Sequence, residues 1–285
     1  MTPPEVWAQR ENNSPTNAPG WQVRVVPNKY PALENPGDGA AVKNTDYESS
    51  NGLGVHEVII ESPDHATSIG ALGLDQFANI LRAYRERMRA LRADPRWRYL
   101  ILYKNQGELA GATLEHVHSQ LLALPFVPGE AAEELTNTKT HYHSTGACLY
   151  CDIVQHEMER GERLVSSTER FVALCPFAPR FGYETWILPK NHAAAFEETA
   201  EDDTLALAYI LKDTLTRLNR VLDGPPFNYV IHSAPAQQTA LPHYHWHIEI
   251  MPQVTRAAGF EWGSGMFMNS VAPEDAARSL RDATL

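Results

Sequence analysis

The stretch GATLEHVHSQLLALP, residues 111–125, sets two imidazoles and a carboxamide at alternate positions: His116, His118 and Gln120. On an extended strand alternate side chains share a face and stand about 6.5–7 Å apart. That spacing is too wide for two rings to share one atom easily. It suits one histidine that fixes the scaffold and a second that does chemistry; a buried core pair is the plainer alternative. The pattern recurs near the C-terminus in HYHWHIEIMP, residues 243–252, where His245, His247 and Glu249 align with the first three and His243 adds a further imidazole on the same predicted face. Cys148 and Cys151 form a C-x-x-C pair. With His192 and His245 they make a Cys₂His₂ set, the donor chemistry of a closed tetrahedral zinc site. His243 could stand in for His245 as fourth ligand. A redox C-x-x-C is the other reading, but no thioredoxin-like βαβ pattern surrounds it. The positions that match His192 and His245 in the first half are His65 and His116, and no cysteine precedes Cys148.

The elements that must carry these residues occur twice. HEVIIESPDH (56–65) parallels YETWILPKNH (183–192), with Glu57 and His65 matched to Glu184 and His192. A helix follows each. Leu74, Phe77, Leu81, Tyr84, Met88 and Leu91 line one face of the first, and Leu207, Leu211, Leu215, Leu218 and Leu222 line the second. Strands over 98–107 and 227–235 come next, then the two histidine strands. His65 and His116 are separated by 51 residues, His192 and His245 by 53. The order strand, helix, strand, histidine strand predicts an α+β fold of two fused, related modules, each an antiparallel sheet with a long crossing helix. We place the modules at residues 1–130 and 145–285, joined by a polar, Gly/Thr-rich link over 126–147.

Bulk composition narrows the function classes. Hydrophobic residues at 43% and charged residues at 21% are those of a globular protein with a real core. A net charge of −11 without any Lys/Arg run argues against a general nucleic-acid binder. The densest basic segment, RAYRERMRALRADPRWR, has helical spacing and reads as a solvated face. No apolar run reaches the roughly 18 residues of a membrane span, and the N-terminus lacks the apolar core of a signal peptide. A cytoplasmic location is expected, and there a disulfide framework is not.

Taken together, PGWQVRVVPNKYPAL, HEVIIESPDH, YKNQGELAGATLEHVHSQLLALP, CLYCDIV, FAPRFGYETWILPKNH, HYHWHIEIMP and AGFEWGSGMFMNSVAPEDAA resemble the galactose-1-phosphate uridylyltransferase family of the histidine-triad superfamily. The resemblance runs nearly end to end. It implies that His118 is a nucleophile that takes a nucleotide from a UDP-sugar and passes it to a hexose 1-phosphate, with Gln120 hydrogen-bonding the phosphoryl oxygens. It implies phosphate contacts at Asn105, Gly111 and Thr113, nucleoside contacts at Asn28 and Lys29, and a hexose region at Phe260 and Gly263. It also implies zinc and a homodimer with sites partly built across the subunit interface. Family members commonly carry an opening strand and a C-x-x-C before a segment like TPPEVWAQR, so an upstream extension is expected. Without those cysteines, the His65/His116 position is expected to bind metal weakly or not at all. An adenylyl-transferring ADP-sugar phosphorylase of the same architecture, and a truncated nucleotide-binding protein without activity, remain as alternatives. A general nucleotide hydrolase fits less well, because Gln120 occupies the place of a third histidine.

Overall fold

The computed structural model describes residues 3–11, 14–33 and 52–283; the ends of both predicted modules, at Met1 and Leu285, lie outside them. The described strands form one antiparallel sheet of ten. The first half supplies β1 (Trp7–Arg10), β2 (Trp21–Pro27), β3 (Val55–Ile60), β4 (Tyr99–Gln106) and β5 (His118–Leu124). The second supplies β6 (Leu164–Ser167), β7 (Phe171–Leu174), β8 (Thr185–Pro189), β9 (Phe227–His232) and β10 (His247–Pro252). The spatial order is β1-β2-β3-β5-β4-β9-β10-β8-β7-β6. Read outward from the β4·β9 join, both halves run in the same order, so the duplication includes two strands per half beyond those read from the sequence.

The join itself is symmetric. Tyr103 pairs with Gln120 in the first half, and Val230 pairs with Glu249 in the second. Tyr103 and Val230 then face each other across β4·β9. Exchanging the halves maps the pair Leu102–Ile231 onto Lys104–Tyr229, and both pairs are present. The same bookkeeping corrects one sequence match. Val58 faces Gln120 and Trp186 faces Glu249, so Glu184 corresponds to His56 and not to Glu57. The slip arises because the loop after β3 is one residue longer on the way to its histidine.

One sheet face is covered by α1 (Leu74–Arg92) and α4 (Glu201–Leu222), which also pack on each other. The apolar stripes read from the sequence are the buried ones: Phe77, Leu81, Tyr84 and Met88 of α1 and Leu207, Leu211, Leu215 and Leu218 of α4. A single core runs through both halves, from Val23 and Ile59 to Trp246 and Ile250. The predicted modules therefore share one sheet and one core.

One expectation is overturned here. The basic segment on α1 is not a solvated face. Arg87 makes a bidentate pair with Glu57 at 2.9 and 2.7 Å. Arg82 and the buried Arg85 both reach Glu201, and Arg92 reaches Glu197 at 3.0 Å and Glu198 at 2.6 Å. Acidic side chains of the second half thus hold the helix of the first. The polar link over 126–147 is largely helical. It contains α2 (Gly129–Thr145), followed by α3 (Leu149–Arg160). Its threonines return their hydroxyls to carbonyls one turn back, as Thr136 does to Ala132 and Thr140 to Thr136. Gly146 then closes the helix in the left-handed region at φ 77°, a conformation glycine adopts at no steric cost.

Candidate functional site

β5 begins at His118, so His116 lies outside the strand and the shared-face argument holds for His118 and Gln120 only. Ser119, Leu121 and Ala123 point to the helix-covered core, which leaves His118 and Gln120 on the opposite face. His116 contributes through its backbone. Its carbonyl lies 2.8 Å from His118 Nδ1, and a carbonyl only accepts, so the ring carries its proton on Nδ1 and its lone pair on Nε2. The His118 pKa lies below the ordinary imidazole value. Burial is the largest cause, opposed by the hydrogen bond to His116 and reinforced by the Lys104 ammonium.

His118 borders a cleft of about 870 Å³ lined also by Asn105, Gly107, Gly111, Thr113 and His116. Four of the predicted site residues, Asn105, Gly111, Thr113 and His118, therefore share one cavity. The loop around it turns at Gly107 and Gly111, both at φ 85°, where a side chain would be strained. Asn105 is held by Asn228 of β9, whose amide donates to its Oδ1 at 2.8 Å. Asn28 and Gln120 lie beside each other through His56: Asn28 Nδ2 is 3.1 Å and Gln120 Oε1 is 2.7 Å from His56 Nε2. Lys29 is exposed, its ammonium 5.3 Å from the Tyr30 ring. Phe260 and Gly263, on the exposed helix α5 (Gly259–Ser264), do not line this cleft.

Beneath the strand that carries His118 lies a buried polar network that sequence reading missed. Lys104 Nζ donates to the His118 carbonyl at 2.8 Å and to Glu61 at 2.5 Å. Glu61 also accepts from Tyr84 at 2.6 Å and Ser119 at 2.5 Å. Burial lowers the Lys104 pKa while Glu61 opposes that shift. Both side chains are buried, on the sheet face that α1 covers. Lys104→Met removes the only cation in this network and strands the Glu61 carboxylate. The expected loss is about 3–5 kcal/mol of folding stability, measured by urea unfolding, and Glu61→Gln in the same chain should recover part of it.

The corresponding strand of the second half is closed. β10 begins at His247, leaving His243 and His245 before the strand, so the predicted third imidazole does not share its face. His247 is fully buried. His232 stacks on it at 4.6 Å, and Tyr150 of α3 and Trp186 lie 4.7 and 5.4 Å away. Glu134 of α2 accepts from His232 at 3.0 Å. Burial depresses His232, but Glu249 and Glu134 outweigh it and push its pKa up to about 10. This ring is a cation locked between carboxylates. Glu134 was read as part of a linker, so its role had no sequence signal beyond the acidic first turns of α2.

Cys148, Cys151, His192 and His245 come together with ligand atoms all within 4.8 Å of one another. The structure brings His245, not His243, together with the other three; the His243 carbonyl lies 3.7 Å from Cys148 Sγ. His192 Nε2 donates to Leu241 O and His245 Nε2 to Pro189 O, each at 3.0 Å. Both Nδ1 lone pairs thereby face inward, 3.4 and 3.5 Å from Cys151 Sγ. Tetrahedral bonds of 2.0–2.3 Å imply ligand–ligand edges of about 3.5 Å. The carbonyls supply the outer hydrogen bonds that orient ligating imidazoles. The donor set fits a divalent metal ion. The matched pair in the first half keeps half of this design. His116 Nε2 bonds Ser62 O at 2.8 Å, and the His65 and His116 rings are 5.5 Å apart, against 5.3 Å for His192 and His245. Among the described residues, however, no third ligand-type side chain completes a group with them.

A duplicated α+β fold, with one open and one sealed histidine strand on a shared sheet, defines the class of protein. The family model for the N-terminal domain of galactose-1-phosphate uridyl transferase matches residues 2–128, and that for the C-terminal domain matches residues 134–279. The chain belongs to this family. It is 34% identical to an ADP-glucose phosphorylase of Arabidopsis thaliana over 95% of this chain and 77% of the relative. It is 30% identical to a galactose-1-phosphate uridylyltransferase of Thermotoga maritima, over 90% of this chain and 82% of that one. The solved structure of an Arabidopsis thaliana ADP-glucose phosphorylase with bound ADP-glucose superposes with a TM-score of 0.88, at 33% identity, covering 100% of this chain and 88% of that chain.

Proposed function

We propose that the protein is a nucleotidyltransferase that moves UMP between UDP-glucose and galactose 1-phosphate through a uridylyl-histidine at His118. The observation that carries this reading is the ring of His118: Nδ1 is tied to a backbone carbonyl, and Nε2 is left with its lone pair beside an open cleft. Nε2 attacks the α-phosphorus, a P–N bond forms, and the P–O bond to the departing sugar 1-phosphate breaks. An oxygen of the second hexose 1-phosphate then attacks the same phosphorus and releases the imidazole. Each displacement is easier than one direct transfer between two anions, and the kinetics are ping-pong. Gln120 offers an amide donor to the phosphoryl oxygens, with Asn105, Gly111 and Thr113 around them, and Asn28 and Lys29 toward the nucleoside. Much of the rate comes from this positioning. Gln120 holds no titratable proton, which suits an acceptor that brings its own anionic oxygen.

The division into a nucleophile-bearing module to residue 130 and a metal-bearing module from 145 is supported by the repeated strand order. We assign zinc to Cys148, Cys151, His192 and His245, where it ties together three chain segments, and no comparable ion to His65 and His116. Phe260 and Gly263 are assigned to hexose binding across a homodimer interface; their exposure, away from the cleft of their own chain, supports this. The thiolate donor set suits the reducing cytoplasm. Among the described residues no helix is long and apolar enough to cross a membrane. The 34% identity with an ADP-glucose phosphorylase favours a second reading, adenylyl transfer from ADP-glucose by the same histidine. Mass spectrometry after incubation with UDP-glucose or ADP-glucose, without acceptor, separates the two. The expected product is a uridylyl adduct on His118. An adenylyl adduct alone selects the second reading, and no adduct from either overturns both.

A further inference from the structure

We propose that His56 is a positioning residue whose ring fixes the carboxamide of Gln120, so that the amide N–H₂ and not the oxygen is presented to the transferring phosphoryl group. The inference rests on the nucleotidyl-transfer reading and adds to it a residue that does not touch the reacting atoms. His56 is buried at the cleft side of β3. The backbone N–H of Ala32 meets its Nδ1 at 3.0 Å. A backbone N–H can only donate, so Nδ1 holds a lone pair, and the one proton of the neutral ring is on Nε2. That nitrogen is 2.7 Å from Gln120 Oε1. The amide oxygen is therefore the end turned back into the protein, and the N–H₂ is the end left free. The Asn28 amide, 3.1 Å from the same nitrogen, has its own Oδ1 committed to the Tyr30 N–H at 2.9 Å. It brings a second donor to His56, so it makes a packing contact there and cannot compete for the proton.

An unheld glutamine amide would turn either end to the phosphoryl oxygens, and the oxygen end repels them. His56 removes that ambiguity before substrate arrives. It also links two parts of the site, because the segment that sets its tautomer is the predicted nucleoside segment: Asn28 N donates to His56 O at 2.8 Å and Ala32 N to the ring. The sealed half shows what becomes of the same pair when no phosphoryl group must be met. Glu184 stands where His56 does and Glu249 where Gln120 does, and Arg180 bridges the two carboxylates. There the pair is ionic and closed on itself; in the open half it is neutral and directed.

The test is a double-mutant cycle read as the single-turnover rate of His118 labelling, with whichever of UDP-glucose or ADP-glucose labels the wild type. His56→Phe keeps the ring volume and removes both the Nε2–H donor to Gln120 and the Nδ1 acceptor of the Ala32 N–H. It is expected to slow labelling by about tenfold, the worth of one neutral hydrogen bond. His56→Gln places an amide nitrogen near the Nε2 position and should restore most of the rate. In a Gln120→Ala background, His56→Phe should change the rate by less than about twofold, because the group it acts through is gone. An undiminished tenfold effect in that background would show a merely structural role and overturn the proposal. So would an unchanged rate for His56→Phe, or no rescue by His56→Gln. If the wild type takes no label at all, the nucleotidyl-transfer reading fails first, a result distinct from any of these.

Discussion

His118→Ala is expected to abolish nucleotide transfer, lowering the rate by about 10⁴-fold or more, while sugar-nucleotide binding changes only a few-fold. Loss of a covalent nucleophile removes both half-reactions at once. The phosphate contacts proposed for Asn105, Thr113 and Gln120 do not depend on the His118 ring. Neither His116 nor His247 can substitute. His116 faces Ser62, and His247, the counterpart in the second half, is walled in by Tyr150, Trp186 and His232. Rapid-quench measurement of label transfer, paired with equilibrium binding, checks both parts. A variant that still transferred nucleotide within tenfold of the wild type would place the reacting atom elsewhere. Loss of binding in step with the rate would make His118 a binding group and not a nucleophile.

The second large effect is expected at the metal set. Cys151→Ala should abolish the zinc binding proposed for this set and lower the melting temperature by about 10 °C, the equivalent of a few kcal/mol in a chain of this size. The four ligands come from the start of α3, the turn after β8 and the approach to β10, so one ion would join three chain segments. Without the ion, two inward Nδ1 lone pairs are left facing each other's partner, and His245 has no exposure through which water could reach it. The Cys151 hydrogen bond lowers the Cys148 pKa most, and His245 adds to this against the cost of burial. Metal analysis and calorimetry decide the matter, and a strong chelator on the unsubstituted protein should reproduce the shift. Full zinc content in the variant, or an unchanged melting temperature after chelation, would remove zinc from this position. The folded fraction should still label His118, because that cleft belongs to the other half of the sheet.

Much of this was legible in the chain. The helical stripes of α1 and α4, the histidine strands and the Cys₂His₂ set follow from period and residue type, which carry over directly into which face is buried. The links that failed are those where a residue's partner is remote. Arg85 and Arg92 look like surface charge until Glu201 and Glu197, more than a hundred residues away, are brought against them. Glu134 sits in a segment whose threonines and glycine mimic a loop, yet the helix there satisfies its hydroxyls internally. His116 was assigned to the strand because H-x-H reads as alternation. In the fold its backbone carbonyl, not its ring, serves His118. His56 lies in HEVIIESPDH with no local signal of a role, since only cross-strand register brings it to Gln120.

The symmetric union of β4 with β9 has a further consequence. Two identical polypeptides meeting by that same union would carry two equal pockets, and every change in one would be imposed on its twin. Covalent linkage in a single chain lifts that obligation. One copy is free to keep an accessible imidazole, while the other can be roofed over by α2 and α3 and given to anchoring metal and charge. Division of labour within the molecule is thus a property of its inheritance as one gene product, and the price of sealing one pocket falls on neither the reaction nor the shared core.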